Sequence, residues 1–203
     1  MSVRASMADL ITRTRTLIFD PGPLTGALSS IFTDGQVQDA LDFWREERRW
    51  VALRPMPTYT VGGNIHYLDY YHDAQNWEAD VQLQDLTYLT ITPALSEYIV
   101  GHWQFTTQPN GIGVRATGKT YDLYASAADL LGWWAAQLKL TAVSQRTADQ
   151  AITYRDQITT ISALIAEYRR LSFAHTHRLY QGDASPDNDG GGVTFPSVGG
   201  GPT

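Results

Sequence analysis

Apolar side chains recur one helical face apart toward both ends of this chain, while the middle abandons that period for aromatic and β-branched residues broken by Gly, Pro and Asn. From Ala8 to Phe19, Leu10, Ile11, Leu17 and Ile18 define one face, with Arg13 and Arg15 between them. Asp20-Pro21-Gly22-Pro23 ends the run, because proline lacks an amide hydrogen and blocks the turn before it. A short helix and a loop are expected. A second helix should open at Thr33, since Thr33-Asp34-Gly35-Gln36 has the spacing at which the end side chains satisfy each other's orphan backbone donors. Its core stripe is Val37, Ala40, Leu41 and Trp44. Glu46, Glu47, Arg48 and Arg49 continue it as a charged outer face, until Pro55 and Pro57 rule out further helix.

Between Trp50 and Gly118 the texture fits short strands on a pleated surface. The expected strands are Trp50 to Leu53, Ile65 to Tyr71, Val81 to Leu83, Tyr88 to Ile91, His102 to Thr106 and Val114 to Thr117, and Pro109-Asn110-Gly111 is the clearest turn. Such spacing suits a small antiparallel sheet or sandwich. The helical period then returns. Tyr121, Tyr124, Ala127, Ala128, Leu131, Trp134, Ala135 and Leu138 line one face from Thr120 to about Leu140, where the alanines permit close approach. A fourth helix from Thr147 to Phe173 carries a seam of Ile158, Ile161, Ile165 and Tyr168, with Arg155, Asp156, Glu167, Arg169 and Arg170 outside it.

The pattern therefore predicts an α+β protein: a scaffold of about four helices, residues 1–49 and 119–180, with an antiparallel β domain inserted at 50–118. Residues 181–203 are rich in Gly, Pro and Asp and cannot bury enough surface to offset their own ordering. Within that arm, Val193-Thr194-Phe195-Pro196 sits between two glycine triplets. Such a segment is either a frayed end or an extended arm that adds to a partner's sheet edge or groove.

Composition narrows the chemistry. Cysteine is absent, which excludes disulfides, thiolate metal sites and cysteine nucleophiles. No run is long and apolar enough for a membrane span, and MSVRASMADL lacks a signal-peptide layout, so synthesis in the cytoplasm is expected. The formal charge of −6 is uneven: residues 61–118 hold Arg115 against Asp69, Asp73, Glu78, Asp80, Asp85 and Glu97. No basic stripe with interleaved aromatics is present to neutralise phosphates, which argues against tight DNA binding.

Three motifs invite a chemical reading. Gly113-Val114-Arg115-Ala116-Thr117-Gly118-Lys119-Thr120 matches the phosphate-loop pattern, yet lacks a buried hydrophobic strand before it and an acidic magnesium ligand after it. The expected alternative is a strand from Val114 to Thr117, a glycine turn and a helix start. His66, Asp69, His72 and Asp73 are close in sequence, but on a strand Asp69 points away from the two histidines, so a structural role is favoured over a metal site. His175 and His177 read as a polar helix end. The aromatic set Tyr59, Tyr67, Tyr70, Tyr71, Trp77, Tyr88, Tyr98, Trp103 and Phe105 could stack sugars, making a carbohydrate-binding module on a helical stalk the rival reading. A sheet core plus a subunit interface is favoured. No nucleophile-elbow pattern appears. Accordingly, no catalytic, cofactor-binding or metal-binding residue is assigned.

Met7-Ala8-Asp9-Leu10-Ile11, the run from Ile31 to Asp42 and above all Gly118-Lys119-Thr120-Tyr121-Asp122-Leu123-Tyr124-Ala125-Ser126-Ala127-Ala128-Asp129-Leu130-Leu131 resemble segments of the head-tail connector (adaptor, neck) proteins of tailed bacteriophages. The resemblance spans residues 7 to 173 and is weak in the β insertion, which departs from the smallest members. It implies a structural virion protein without catalysis or cofactor. Its helices would form a homo-oligomeric ring, commonly of twelve subunits, between the portal and the tail or its stopper, and DNA would pass through the channel without being gripped. A tail-completion role in the same particle is the nearest alternative. Tyr121, Tyr124, Ala128, Leu131, Trp134, Ile158, Ile161, Ile165 and Tyr168 are then the expected helix or subunit packing residues. Val193, Thr194, Phe195 and Pro196 are the expected contact with the portal or a neighbour.

Overall fold

Helix starts in this computed structural model follow the sequence closely, and helix ends are decided by what the strands pair with. The structure describes residues 2–20, 31–59, 65–106, 113–144 and 148–172. Among these the chain forms helices α1 (Ala8–Leu17), α2 (Asp34–Phe43), α3 (Leu123–Ser144) and α4 (Ala148–Leu171), preceded by a 3-10 turn at Ala5–Met7. Between α2 and α3 lie strands β1 (Arg45–Ala52), β2 (Arg54–Tyr59), β3 (Ile65–Tyr71), β4 (Gln82–Asp85), β5 (Leu95–Glu97), β6 (His102–Gln104) and β7 (Val114–Tyr121). This is the expected α+β arrangement of four helices with an inserted antiparallel β region, built as two sheets ordered β1-β7-β4 and β2-β3-β6-β5. The turn expected at Pro109–Gly111, and everything from 173 onward, lie outside the described residues.

The capping box at Thr33 forms: the Gln36 amide donates to Thr33 Oγ1 (3.3 Å) and the Thr33 amide donates to Gln36 Oε1 (2.9 Å). The helix it opens is shorter than its charged continuation predicts, because β1 begins at Arg45. From Arg45 to Arg49 the sequence offers no apolar residue to extend the buried stripe, so helix there would bury nothing. Pairing with β7, Arg45 opposite Tyr121 through Arg48 opposite Gly118, satisfies the backbone instead. The helix-forming tendency of Glu46 to Arg49 loses to tertiary pairing. Their charges form ion pairs two residues apart, Arg48 to Glu46 (2.7 Å) and Arg49 to Glu47 (2.9 Å). Pro55 and Pro57 do not merely break a helix. They lie in β2, an edge strand, where a missing donor on the outward side costs no ladder bond.

Three strand expectations need correction. Tyr88 to Ile91 is irregular, following a turn at Leu86 and Thr87 and making one bridge, Gln84 to Thr90, and Tyr88 takes a left-handed φ of 64°. β5 carries no signal beyond three ordinary residues and exists because β6 offers it an edge. β7 runs without a break through Gly118 to Tyr121, where the sequence predicts a turn. Space is tight there: a Cβ would sit 3.0 Å from Val81 Cγ2 and 3.3 Å from Trp77 Cε3, so a side chain would need both neighbours to give.

α3 starts where Asp122 caps it, its Oδ1 accepting from the Ala125 amide at 2.9 Å, while Oδ2 accepts from Ser172 Oγ at 2.8 Å. One carboxylate thus ties the start of α3 to the end of α4. Asp122→Ala is expected to cost about 1–2 kcal/mol in equilibrium urea unfolding, the range of a lost N-cap; a change below the error of the measurement would refute this role. Two cores result. Met7, Leu10, Val37, Leu41, Leu130 and Leu131 centre the helical one. Tyr70, Trp77, Trp103, Phe105 and Val114 centre the one between the sheets.

Candidate assembly surface

Most residues expected to pack helices are used inside the subunit. Tyr121, Ala128, Leu131, Ile161 and Tyr168 are buried in the helical core, and Tyr124, Trp134 and Ile165 pack partly buried against it. Ile158 is half-buried. The Tyr124 and Tyr168 rings lie 5.7 Å apart, and Tyr168 donates to the Leu17 carbonyl at 2.7 Å, so α3, α4 and α1 are joined at one level. Tyr121 belongs to the end of β7 rather than to α3. Val193 to Pro196, with His175 and His177, lie outside the described residues.

What those contacts leave uncovered is a strip on the opposite face of α3. Trp133 is 49% exposed, Leu140 74% and, at the end of α2, Phe43 73%. Ala136 and Gln137 lie between the first two at helical spacing and are also exposed, and a Cβ added at Gly132 would meet nothing within 4 Å. Trp44 Nε1 donates to Asp129 Oδ2 at 2.7 Å, and its ring meets Phe43 edge-on at 5.3 Å. That bond sets the end of α2 on α3 one turn before Trp133, and Phe43 stands exposed beside Trp44. α3 is thus apolar around more of its circumference than the helical core covers. Sequence reasoning selected Trp134 and passed over Trp133. Adjacent residues sit about 100° apart on a helix, so the two rings leave it in different directions.

The charged groups are spent holding the framework. Glu78 is fully buried where the N-terminal segment, α2 and β7 meet. Its Oε1 accepts from Arg4 Nε (2.9 Å) and Ser6 Oγ (2.6 Å), and its Oε2 from Tyr121 Oη (2.6 Å) and Lys119 Nζ (3.3 Å). Arg4 also forks onto Asp42 (2.6 and 2.9 Å), and Lys119 reaches Asp80 (3.0 Å). Burial by itself would raise the Glu78 carboxyl, but the bonds from Ser6 and Tyr121 and the charge of Arg4 outweigh it and hold it down at about 2. Burial, then the bond to Glu78, pushes the Tyr121 phenol well above its ordinary range. No sequence signal pointed to Glu78, because its partners are remote along the chain.

The phosphate-loop pattern falls on β7, whose register commits residues 114–121 to β1 and β4. An extended strand cannot wrap its amides around an anion, and Lys119 is already held by two carboxylates. The histidine and aspartate group also disperses. His72 Nδ1 accepts from the Ala74 amide (2.9 Å), and burial lowers its pKa. Asp69 turns to Gln104 Nε2 (2.9 Å) and His102 Nε2 (3.1 Å), and His66 is exposed. Sequence reasoning missed His102, which lies between Asp69 and Glu97 (Nδ1 to Oε2, 2.9 Å) and stacks on Tyr71 at 4.3 Å. Among the described residues no group of three His, Asp or Glu side chains could hold a metal. Of the aromatic set, Tyr70, Trp77, Trp103 and Phe105 are sealed in the core, whereas Tyr59 and Tyr88 are exposed. Tyr88 meets Trp50 edge-on at 5.0 Å, and Trp50, at the bulge of β1, also has a left-handed φ of 57°.

Among the described residues no helix is long and apolar enough to cross a membrane. Comparison with protein-family models, with curated proteins and with solved structures finds no match to this chain.

Proposed function

We propose that this chain is a structural, non-catalytic subunit of a phage neck, assembling with copies of itself into a ring that joins the portal to the tail and extends the DNA channel. The observation that carries the reading is the exposure of the large apolar side chains Trp133 and Leu140 on α3 and Phe43 at the end of α2. The resemblance of the helical segments to head-tail connectors supports it. So does the charge, since an acidic β region without a basic stripe suits a part that DNA slides past rather than one that grips it. In this reading Val193 to Pro196 anchor the arm to the portal or a neighbouring subunit.

Native mass spectrometry and negative-stain imaging of the full chain, alone and mixed with a portal protein, test the reading. Ring-shaped oligomers, or rings formed on the portal, are the expected result. A protein that stays monomeric under both conditions would overturn it, as would measured nucleotide turnover.

A further inference from the structure

His102 stands at the middle of the β3-β6-β5 ladder, opposite Tyr71 on one side and Glu97 on the other. Its ring is buried, stacked on Tyr71 at 4.3 Å with the planes 11° apart, and both of its nitrogens meet a carboxylate. Nε2 lies 3.1 Å from Asp69 Oδ1, and Nδ1 lies 2.9 Å from Glu97 Oε2. An ionised carboxylate has no hydrogen to give, and a neutral imidazole has only one. Both contacts are therefore hydrogen bonds only when each ring nitrogen carries a proton. In the neutral ring one nitrogen lone pair would face an oxygen lone pair at hydrogen-bond distance. The other titratable groups on neighbouring elements are engaged elsewhere. Arg54, opposite Tyr71 on β2, is exposed and lies 3.4 Å from Asp73, and His72, just past β3, accepts from the Ala74 amide and meets Trp77 edge-on. Tyr71 offers His102 its ring face.

We infer that His102 is an imidazolium in the folded protein and that its second proton latches the β5-β6 hairpin. The two carboxylates are not equivalent. The Asp69 side chain is 22% exposed and also accepts from Gln104 Nε2 at 2.9 Å, whereas that of Glu97 is 51% exposed and free to turn into solvent. When a proton leaves, the hydrogen that remains is the one on Nε2, bonded to the better-held Asp69, and Nδ1 releases Glu97. β5 is a three-residue edge strand, so this side-chain bond reinforces a short ladder. Its loss loosens β5 and uncovers the β6 edge. The direction follows from the bonds: the fold binds the charged ring, so the tie is present at low pH and is lost as pH rises through the titration of the ring. The latch lies within one subunit and goes beyond the neck reading without depending on it.

Nuclear magnetic resonance of the isotope-labelled full chain reads the ring and the hairpin together. Long-range imidazole spectra, with the His102 signals assigned by their loss in His102→Gln, should show two protonated ring nitrogens at about pH 5 and the Nε2-H tautomer at higher pH. The Ala94 amide, which donates to the Gln104 carbonyl at 2.7 Å, reports the β5-β6 tie. Corrected for the intrinsic pH dependence of exchange, its protection should fall about three- to tenfold over the same step, between the worth of a surface pair and that of a bond to a charged group. Glu97→Gln, a change at an exposed side chain, should abolish that step, because an amide can accept from the charged ring and donate to the neutral one. Four results would overturn the inference: a ring in a single state from about pH 5 to 9, a neutral form with its hydrogen on Nδ1, Ala94 protection that ignores the titration of the ring, or the same step in Glu97→Gln.

Discussion

Replacing Glu78 with Ala lowers the free energy of unfolding by about 3–5 kcal/mol, the cost of removing one partner from a buried ion pair. The carboxylate receives four donors, from Arg4, Ser6, Lys119 and Tyr121, on segments that meet nowhere else at this density of polar contact. Without it, the Arg4 and Lys119 charges lose the buried anion between them, and the Tyr121 hydroxyl loses its acceptor. Glu78→Gln should recover part of the loss, since the amide keeps one acceptor oxygen but carries no charge. The pH dependence follows from the same geometry. The folded carboxyl is held at about 2, below its ordinary 4.5, so its contribution is fully present above pH 4.5 and is lost as pH falls from there toward 2. Urea unfolding at a series of pH values reads both effects. A Glu78→Ala protein within 1 kcal/mol of the original at pH 7, or a Glu78→Gln protein with the same acid profile, would refute the assignment.

Arg15→Met is expected to cost a similar amount, about 3–5 kcal/mol, for the same class of reason at a different joint. Arg15 is buried. Its Nη1 bonds Asp20 Oδ2 at 2.5 Å, and its Nη2 bonds Asp34 Oδ1 at 2.6 Å and the Phe32 carbonyl at 2.8 Å. Asp20 in turn accepts from the amides of Ile31 and Phe32. The guanidinium therefore fixes the end of α1 against the start of α2. Methionine preserves most of the volume and none of the donors, leaving a buried carboxylate without its cation. Arg15→Lys should remain well below the original stability, because one ammonium cannot reproduce the fork that serves three acceptors. Thermal unfolding with full recovery by Arg15→Lys would show that charge alone, rather than the fork, matters here.

These two clusters bear on the proposed assembly only through rigidity. Neither includes Trp133 or Leu140, so variants that still fold are expected to keep whatever self-association these exposed side chains provide. Asp129, through its bond to Trp44, sets the end of α2 against α3.

Local information was sufficient for α1, α3 and α4, for the start of α2 and for β3. Each of these depends on short-range physics: the 3.6-residue period, a capping side chain three residues from its partner, or the β-branched and aromatic content of one run. The same locality explains the failures. Glu46 to Arg49 prefer helix by themselves, and only β7, more than seventy residues onward, turns them into a strand. Gly118 suggests a turn until Val81 and Trp77 are seen to occupy the space of its side chain. Glu78 is an unremarkable acid in the sequence, yet Arg4, seventy-four residues away, makes it the centre of a buried network.

The candidate surface divides along the same line. The helix that carries it was legible from its 3.6-residue period, which put Trp134 on the core face and left Trp133 unassigned. Which of the pair faces outward depends on where α1, α2 and α4 settle around α3. The sequence by itself determined the four helices and the antiparallel β region inserted between them. The tertiary structure decided where strands end, which charges are buried and which face is left over, because each of those outcomes is the sum of contacts between residues that only folding brings together.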